Sequence, residues 1–267
     1  TRANVREITA SPESVADTHE GVSGVPADAL RIPVSVYAIA KDLGLPYENI
    51  RRRVKKLLDA GVCVTVDGGL VVPGATVVRQ SNLDLIRETQ IATENFVAEA
   101  GRFGISAAEH YQPPTPGLPR QVIRLAMNYF LDATCRSAKG LDLDVVAILV
   151  LRAINMGNIT HVTHDPVLAV TYGGMEHAPP EEARRPVSVY SIGRFLQLPY
   201  ETARRTVARL ESRGLVRKDA NGLTVPLEVV SRPEVMSGML QLVALTETFL
   251  ADLARAGMAY RPNPAPG

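Results

Sequence analysis

Residues 33–61 read PVSVYAIAKDLGLPYENIRRRVKKLLDAG, and residues 186–214 read PVSVYSIGRFLQLPYETARRTVARLESRG, so the same string returns after 153 positions. The match runs without a gap through Gly69-Leu70-Val71-Val72-Pro73 against Gly222-Leu223-Thr224-Val225-Pro226. It continues to Thr93-Glu94-Asn95-Phe96 against Thr246-Glu247-Thr248-Phe249. A copy of about 75 residues is too long for one turn of a solenoid, so the repeat predicts two related domains joined by a connector. A chain of 267 residues has ample length to bury two such cores.

Within each copy the periodicity predicts local structure. Val36, Ile39, Ala40 and Leu43 follow the spacing of a helix with one buried face, and Ser35 stands at its N-cap position. Gly44 can take a positive φ, and Pro46 suits the start of a new helix that turns Ile50, Val54 and Leu57 inward and stops near Gly61. Val62 to Val66, Asp67-Gly68-Gly69 and Leu70 to Val72 then read as two strands around a turn, with Cys63 in the core rather than acting as a redox sensor. The second hairpin is Leu215 to Lys218 and Leu223 to Val225, and Gln197 stands where the first copy has Gly44. Helix, tight turn, helix and hairpin is the winged helix-turn-helix order. The expected fold class is therefore mainly α with small β-hairpin wings, as two winged helix-turn-helix modules related by internal duplication.

Each copy ends in a long apolar-rich helix, about 82–102 and 233–256, with more apolar residues than one small domain needs. The domain expectation is an irregular segment over 1–30, a first module over 31–106, a connector over 107–183, a second module over 184–258 and a tail over 259–267. In the connector, helices are expected near 119–137 and 143–155, followed by an irregular stretch over 158–185. The helices that precede the second module have no counterpart before the first unless they lie upstream of Thr1. Val145 to Leu151 is the most apolar run; it is too short to span a membrane and reads as a buried core helix. A polar N-terminus without an apolar leader and two cysteines, Cys63 and Cys135, predict a reducing cytoplasmic, nucleoid-associated setting and no membrane.

The polar side of the second helix carries the chemistry. Tyr47, Glu48, Arg51, Arg52 and Lys55 share one face, and Arg53 and Lys56 add to its charge; Tyr200, Glu201, Thr202, Arg204, Arg205 and Arg209 stand on the other copy's helix. With 29 Lys and Arg against 28 Asp and Glu the chain is nearly neutral, so a polyanion site has to be local. A helix of this width enters the major groove, where Arg bridges guanine O6 and N7 and Glu accepts from cytosine N4. Arg217 and Lys218 in the second wing are placed for phosphate contact, and Ser35 and Ser188 at the first helices complete the expected DNA-binding set.

Pro199-Tyr200-Glu201-Thr202-Ala203-Arg204-Arg205 resembles the recognition helix of the catabolite activator (Crp/Fnr) regulators, whose pattern is Arg-Glu-Thr-Val-Gly-Arg. The resemblance places Glu201 and Arg205, and likewise Glu48 and Arg52, on the family's base-reading positions. Tyr200 and Tyr47 replace its first Arg, and Arg204 and Arg51 its Gly, which implies a different DNA sequence. Regulators of the multiple-antibiotic-resistance (MarR) and GntR types share much of the pattern. The resemblance covers the two modules of about 45 residues each and implies a bacterial transcriptional regulator that binds double-stranded DNA. The alternative is a tandem winged-helix scaffold that binds proteins in a chromosome-associated complex.

Other constellations weigh against catalysis. His161, His164 and Asp165, with His177 and Cys135, have spacing a metal could use but read better as surface or core residues. No phosphate-loop, dinucleotide, zincin or nucleophile-elbow string occurs. The expectation is no enzyme, no metal and no cofactor, with a homodimer through the long helices and a small-molecule effector as further partners.

Overall fold

The computed structural model describes residues 28–102, 104–113, 118–173 and 178–259. The rest of the N-terminal segment with any helix upstream of it, His177, and the tail from Tyr260 lie outside the described residues. Among the described residues the chain is mainly helical, with two small antiparallel hairpins. Its elements are α1 (Val36–Leu43), α2 (Tyr47–Asp59), β1 (Val64–Val66), β2 (Gly69–Val71), α3 (Gly74–Val77), α4 (Gln80–Arg102), α5 (Leu118–Gly140), α6 (Val145–His164) and α7 (Pro166–Thr171). There follow α8 (Val189–Phe195), α9 (Tyr200–Ser212), β3 (Arg217–Asp219), β4 (Gly222–Thr224), α10 (Leu227–Val230) and α11 (Pro233–Arg255). The chain divides into two units, Thr1–Ala133 with Leu242–Gly267, and Thr134–Gln241.

The same local devices stand 153 positions apart. Ser35 and Ser188 cap α1 and α8 by accepting from the amides of Ala38 and Ser191, worth about 1 kcal/mol each. β2 and β4 each bridge back to the residue before the first helix, Leu70 to Val34 and Leu223 to Val187. At that crossing a Cβ on Gly69 would lie 2.7 Å from the Val34 carbonyl, and one on Gly222 2.8 Å from the Val187 oxygen, so only glycine fits. An acid caps the next short helix: Asp28 Oδ1 accepts from the Gly74 amide at 2.6 Å, and Glu181 Oε1 from the Leu227 amide at 2.6 Å. Arg79 and Arg232 donate to the Gly61 and Gly214 carbonyls.

The turn between the first two helices departs in one residue. Gly44 has φ 62° and Gln197 has φ 52°, so the glutamine holds the left-handed conformation its copy requires. That geometry costs a side-chain-bearing residue about 1 kcal/mol relative to glycine.

In the first unit Ala40, Ile50, Val54, Cys63 and Leu70 form one core. A second core joins Val97 of α4 and Val122 of α5 to Phe249, Leu250 and Leu253 of α11. There Tyr129 stacks on Phe249 with ring centroids 4.6 Å apart, and its hydroxyl lies 2.9 Å from Thr246 Oγ1.

The second unit is built around α6. Ala147, Val150, Leu151 and Ile154 of that helix pack with Val207 and Leu210 of α9 and with Leu223 and Val225 at the hairpin. The helix is longer than its apolar run suggested, because it continues through Asn158 to His164 and is followed by α7, where an irregular stretch was expected. Among the described residues α6 alone has the length and mean hydropathy, 1.5, to cross a membrane; eight of its residues are buried, most of them in this core.

A polar latch ties α6 to the hairpin. Asn158 is fully buried, donates to the carbonyls of Arg185 at 2.8 Å and Leu223 at 2.9 Å, and accepts from the Val225 amide at 2.9 Å. Beside it, buried Arg184 donates to Val225 O and Asn155 Oδ1. Asn158→Ala strands the buried Val225 amide and removes a donor from the Arg185 and Leu223 carbonyls, and urea unfolding should show a loss of about 2–3 kcal/mol with faster exchange of the Val225 amide. A loss below about 1 kcal/mol would show that the latch is dispensable.

Candidate nucleic-acid interface

α2 and α9 start after prolines, Pro46 at φ −55° and Pro199 at φ −54°, whose rings hold the chain ready to enter a helix. Each helix has 13 residues. On α2 only Ile50 and Val54 are buried; on α9 Ala203, Thr206, Val207 and Leu210 are. Leu57, expected to point inward, is 44% exposed, whereas its counterpart Leu210 is fully buried because α6 packs over it. Arg53 likewise faces solvent where Thr206 is buried.

With the apolar stripe turned inward, the other side is left to charge. Tyr47, Glu48, Arg51, Arg52, Arg53, Lys55 and Lys56 are all exposed on α2. Tyr200, Glu201, Arg204, Arg205 and Arg209 are exposed on α9, and Thr202 is half-buried. Ser35 and Ser188 are exposed but engaged as helix caps. Arg217 and Lys218 are exposed on β3, with Arg217 Nη1 3.2 Å from Glu181 Oε2. Arg209 leans the other way, with Nη2 2.5 Å from Asp144 Oδ2, the N-cap residue of α6.

Two further exposed aromatics were not singled out from the sequence. Tyr37 of α1 and Tyr190 of α8 are 67% and 62% exposed. The signal was present as a tyrosine off the apolar stripe in both copies. In the first unit α1, α2 and the hairpin enclose an open cleft of about 480 Å³, with Tyr37, Tyr47, Arg51 and Lys55 among its lining and Val54 and Leu70 as apolar neighbours. That combination of aromatic rings and cations suits phosphates and bases.

The charges are organised along each helix. Glu48 accepts two hydrogen bonds from Arg51, at 2.8 Å from Nε and 2.7 Å from Nη2, which lower its pKa. Glu201 accepts from Arg204 Nε and Nη2, both at 2.8 Å, and also from Arg205 Nε at 2.7 Å. These bonds, first those of Arg204 and then those of Arg205, hold the Glu201 carboxyl down to about 2.

Of the residues weighed as metal ligands, His177 lies outside the described residues. Among the described residues no three His, Cys, Asp or Glu side chains come together as a metal site. His161 and His164 lie on the last turns of α6, with His164 Nδ1 2.7 Å from the Thr160 carbonyl oxygen and His161 Nδ1 buried without a hydrogen-bond partner. Cys63 is buried, and that burial pushes its thiol up and keeps it protonated. No protein-family profile, curated protein or solved structure matches the chain.

The folded-state pKa of Glu201 is depressed, so its pairing with the arginines persists as pH falls below the ordinary glutamate range and is lost only on passing through about 2. Carboxyl-carbon NMR should place the Glu201 midpoint at about 2 and that of Glu48 below the ordinary 4.5. An unshifted Glu201 would show that the clamp does not form in solution.

Proposed function

We propose that the chain is a transcriptional regulator that binds double-stranded DNA through two winged helix-turn-helix modules of common origin. The observation that carries this reading is the exposed Tyr-Glu-x-x-Arg-Arg side of α2 and of α9, each placed after a short first helix and before a hairpin. In this reading each helix enters a major groove. Arg52 and Arg205 bridge guanine O6 and N7, and Glu48 and Glu201 accept from an exocyclic base amine. Arg53, Lys55, Lys56 and Lys218 neutralise phosphates, and Arg217 joins them by leaving Glu181. Common origin is supported by the matched caps, bridges and buried arginines 153 positions apart. The exposed apolar side chains of Met239, Leu240 and Val243 on α11 suit a homodimer.

One observation favours the scaffold alternative. In the first hairpin Val64 and Val66 are each 41% exposed, at the positions where the second has Arg217 and Asp219, so the first wing suits a protein surface better than a phosphate.

Duplex affinity measured against salt tests the proposal. With about six phosphates engaged, log K should fall against log salt with a slope near roughly −5. Arg52→Ala and Arg205→Ala should each relax preference at one base pair, at about 1–3 kcal/mol on the best site. Undetectable duplex affinity at low salt would refute the DNA reading.

A further inference from the structure

The two basic faces carry the same Glu-x-x-Arg-Arg pattern but do not pair their charges alike. A glutamate at position i of a helix reaches residues at i+3 and i+4, so Glu48 can address Arg51 and Arg52, and Glu201 can address Arg204 and Arg205. Glu201 takes both of its arginines. Glu48 takes Arg51 alone, because Arg52 Nη2 donates instead to Asn49 Oδ1 at 2.7 Å. Position 49 decides the difference: it is one turn before Arg52 and offers an amide oxygen, while its counterpart Thr202 is half-buried and carries a hydroxyl that takes no part in holding Arg205.

The consequence is electrostatic. An amide oxygen brings no charge to set against Arg52, which keeps only a coulombic attraction to Glu48 without an ion-pair contact, and Arg53 and Lys56 beside it form no ion pair among the described residues. The first face therefore offers net positive charge to any polyanion. On the second face one carboxylate is spread over two guanidinium groups, and the positions matching Arg53 and Lys55 are Thr206 and Ala208. A phosphate approaching there has to break charge-assisted hydrogen bonds before it gains an arginine. A base pair that presents an amine to Glu201 beside a guanine for Arg205 offers replacements for both halves of the clamp.

Resting on the DNA reading above, we propose that Glu201 is a specificity-determining gate that keeps the second face closed to phosphate alone, while Asn49 keeps the first face open as the general anchor. The two modules thus divide the work: the first, besides the base contact of Arg52, holds duplex of any sequence, and the second engages where the bases release its arginines. This division follows from pairing within each helix.

The test compares Glu201→Gln, Glu48→Gln and Asn49→Thr in the full chain, all at exposed positions. The probes are a mixed-sequence duplex, the best duplex selected from a random pool, and heparin, a polyanion without bases. Each guanidinium released adds one phosphate contact, which at 0.15 M salt is about fivefold in affinity. Glu48→Gln frees one and should raise mixed-sequence affinity about fivefold; Glu201→Gln frees two and should raise it about thirtyfold, with a salt slope steeper by about 2. Asn49→Thr lets Glu48 capture Arg52 and should lower it about fivefold. The ratio of selected to mixed-sequence affinity should fall in Glu201→Gln. Equal gains for the two glutamine variants, no loss in Asn49→Thr, or an unchanged ratio in Glu201→Gln would overturn the gate. If heparin shows the graded order while no variant binds duplex, the clamp stands and the DNA reading fails; if duplex binds without the graded order, the DNA reading stands and the gate fails.

Discussion

Everything at the candidate interface depends on which side of α9 and α2 is buried. Ala203, Val207 and Leu210 on one helix, and Ile50 and Val54 on the other, are removed from water and fix the rotation of each helix about its axis. Burying a side chain such as Leu210 contributes about 2 kcal/mol. An exposed ion pair contributes well under that, so apolar packing, not charge, sets the orientation. The arginines face solvent because nothing else is left for that side to do. The bridges from Leu70 to Val34 and from Leu223 to Val187 then hold a hairpin at a set position relative to each first helix.

Features written in local residue chemistry were legible before any coordinates. The serine caps, the helix of residues 36–43, the glycine at φ 62° and the turn of each hairpin follow from short-range preferences, and the structure places them where those preferences put them. The basic side of α2 and α9 was legible for the same reason, since helical spacing alone separates it from the apolar stripe. Features that depend on distant partners were not legible. Leu57 and Leu210 occupy the same position of the repeat, yet only Leu210 has α6 over it. The reach of α6 to His164 was hidden because Asn158 looks like a helix-ending polar residue until its three backbone partners are in place.

The buried arginines make the same point at the level of energetics. Arg31 and Arg184 are each 6% exposed, and arginine is ordinarily a surface residue. Arg31 is held by Asp28 at 2.9 Å, and Arg184 by the carbonyls of Pro179 and Val225 and by Asn155. Asp28 and Glu181 meanwhile cap α3 and α10, so in each copy an acid secures the segment before the first helix to the segment after the hairpin. Recurrence of this device at both sites ties the sequence repeat to a shared local architecture. The copies differ in turn at Asn49 against Thr202 and at Val64 against Arg217.

The central claim is that the exposed sides of α2 and α9 meet duplex DNA. Photo-crosslinking of the full chain to the best duplex selected from a random pool, with the crosslinked residues mapped by mass spectrometry, addresses it most directly. The account predicts crosslinks at Tyr47 and between Arg51 and Lys56 on the first face, and at Tyr200, Arg204 and Arg205 on the second. Crosslinks confined to α4, α11 or the connector, with neither face modified, would contradict it.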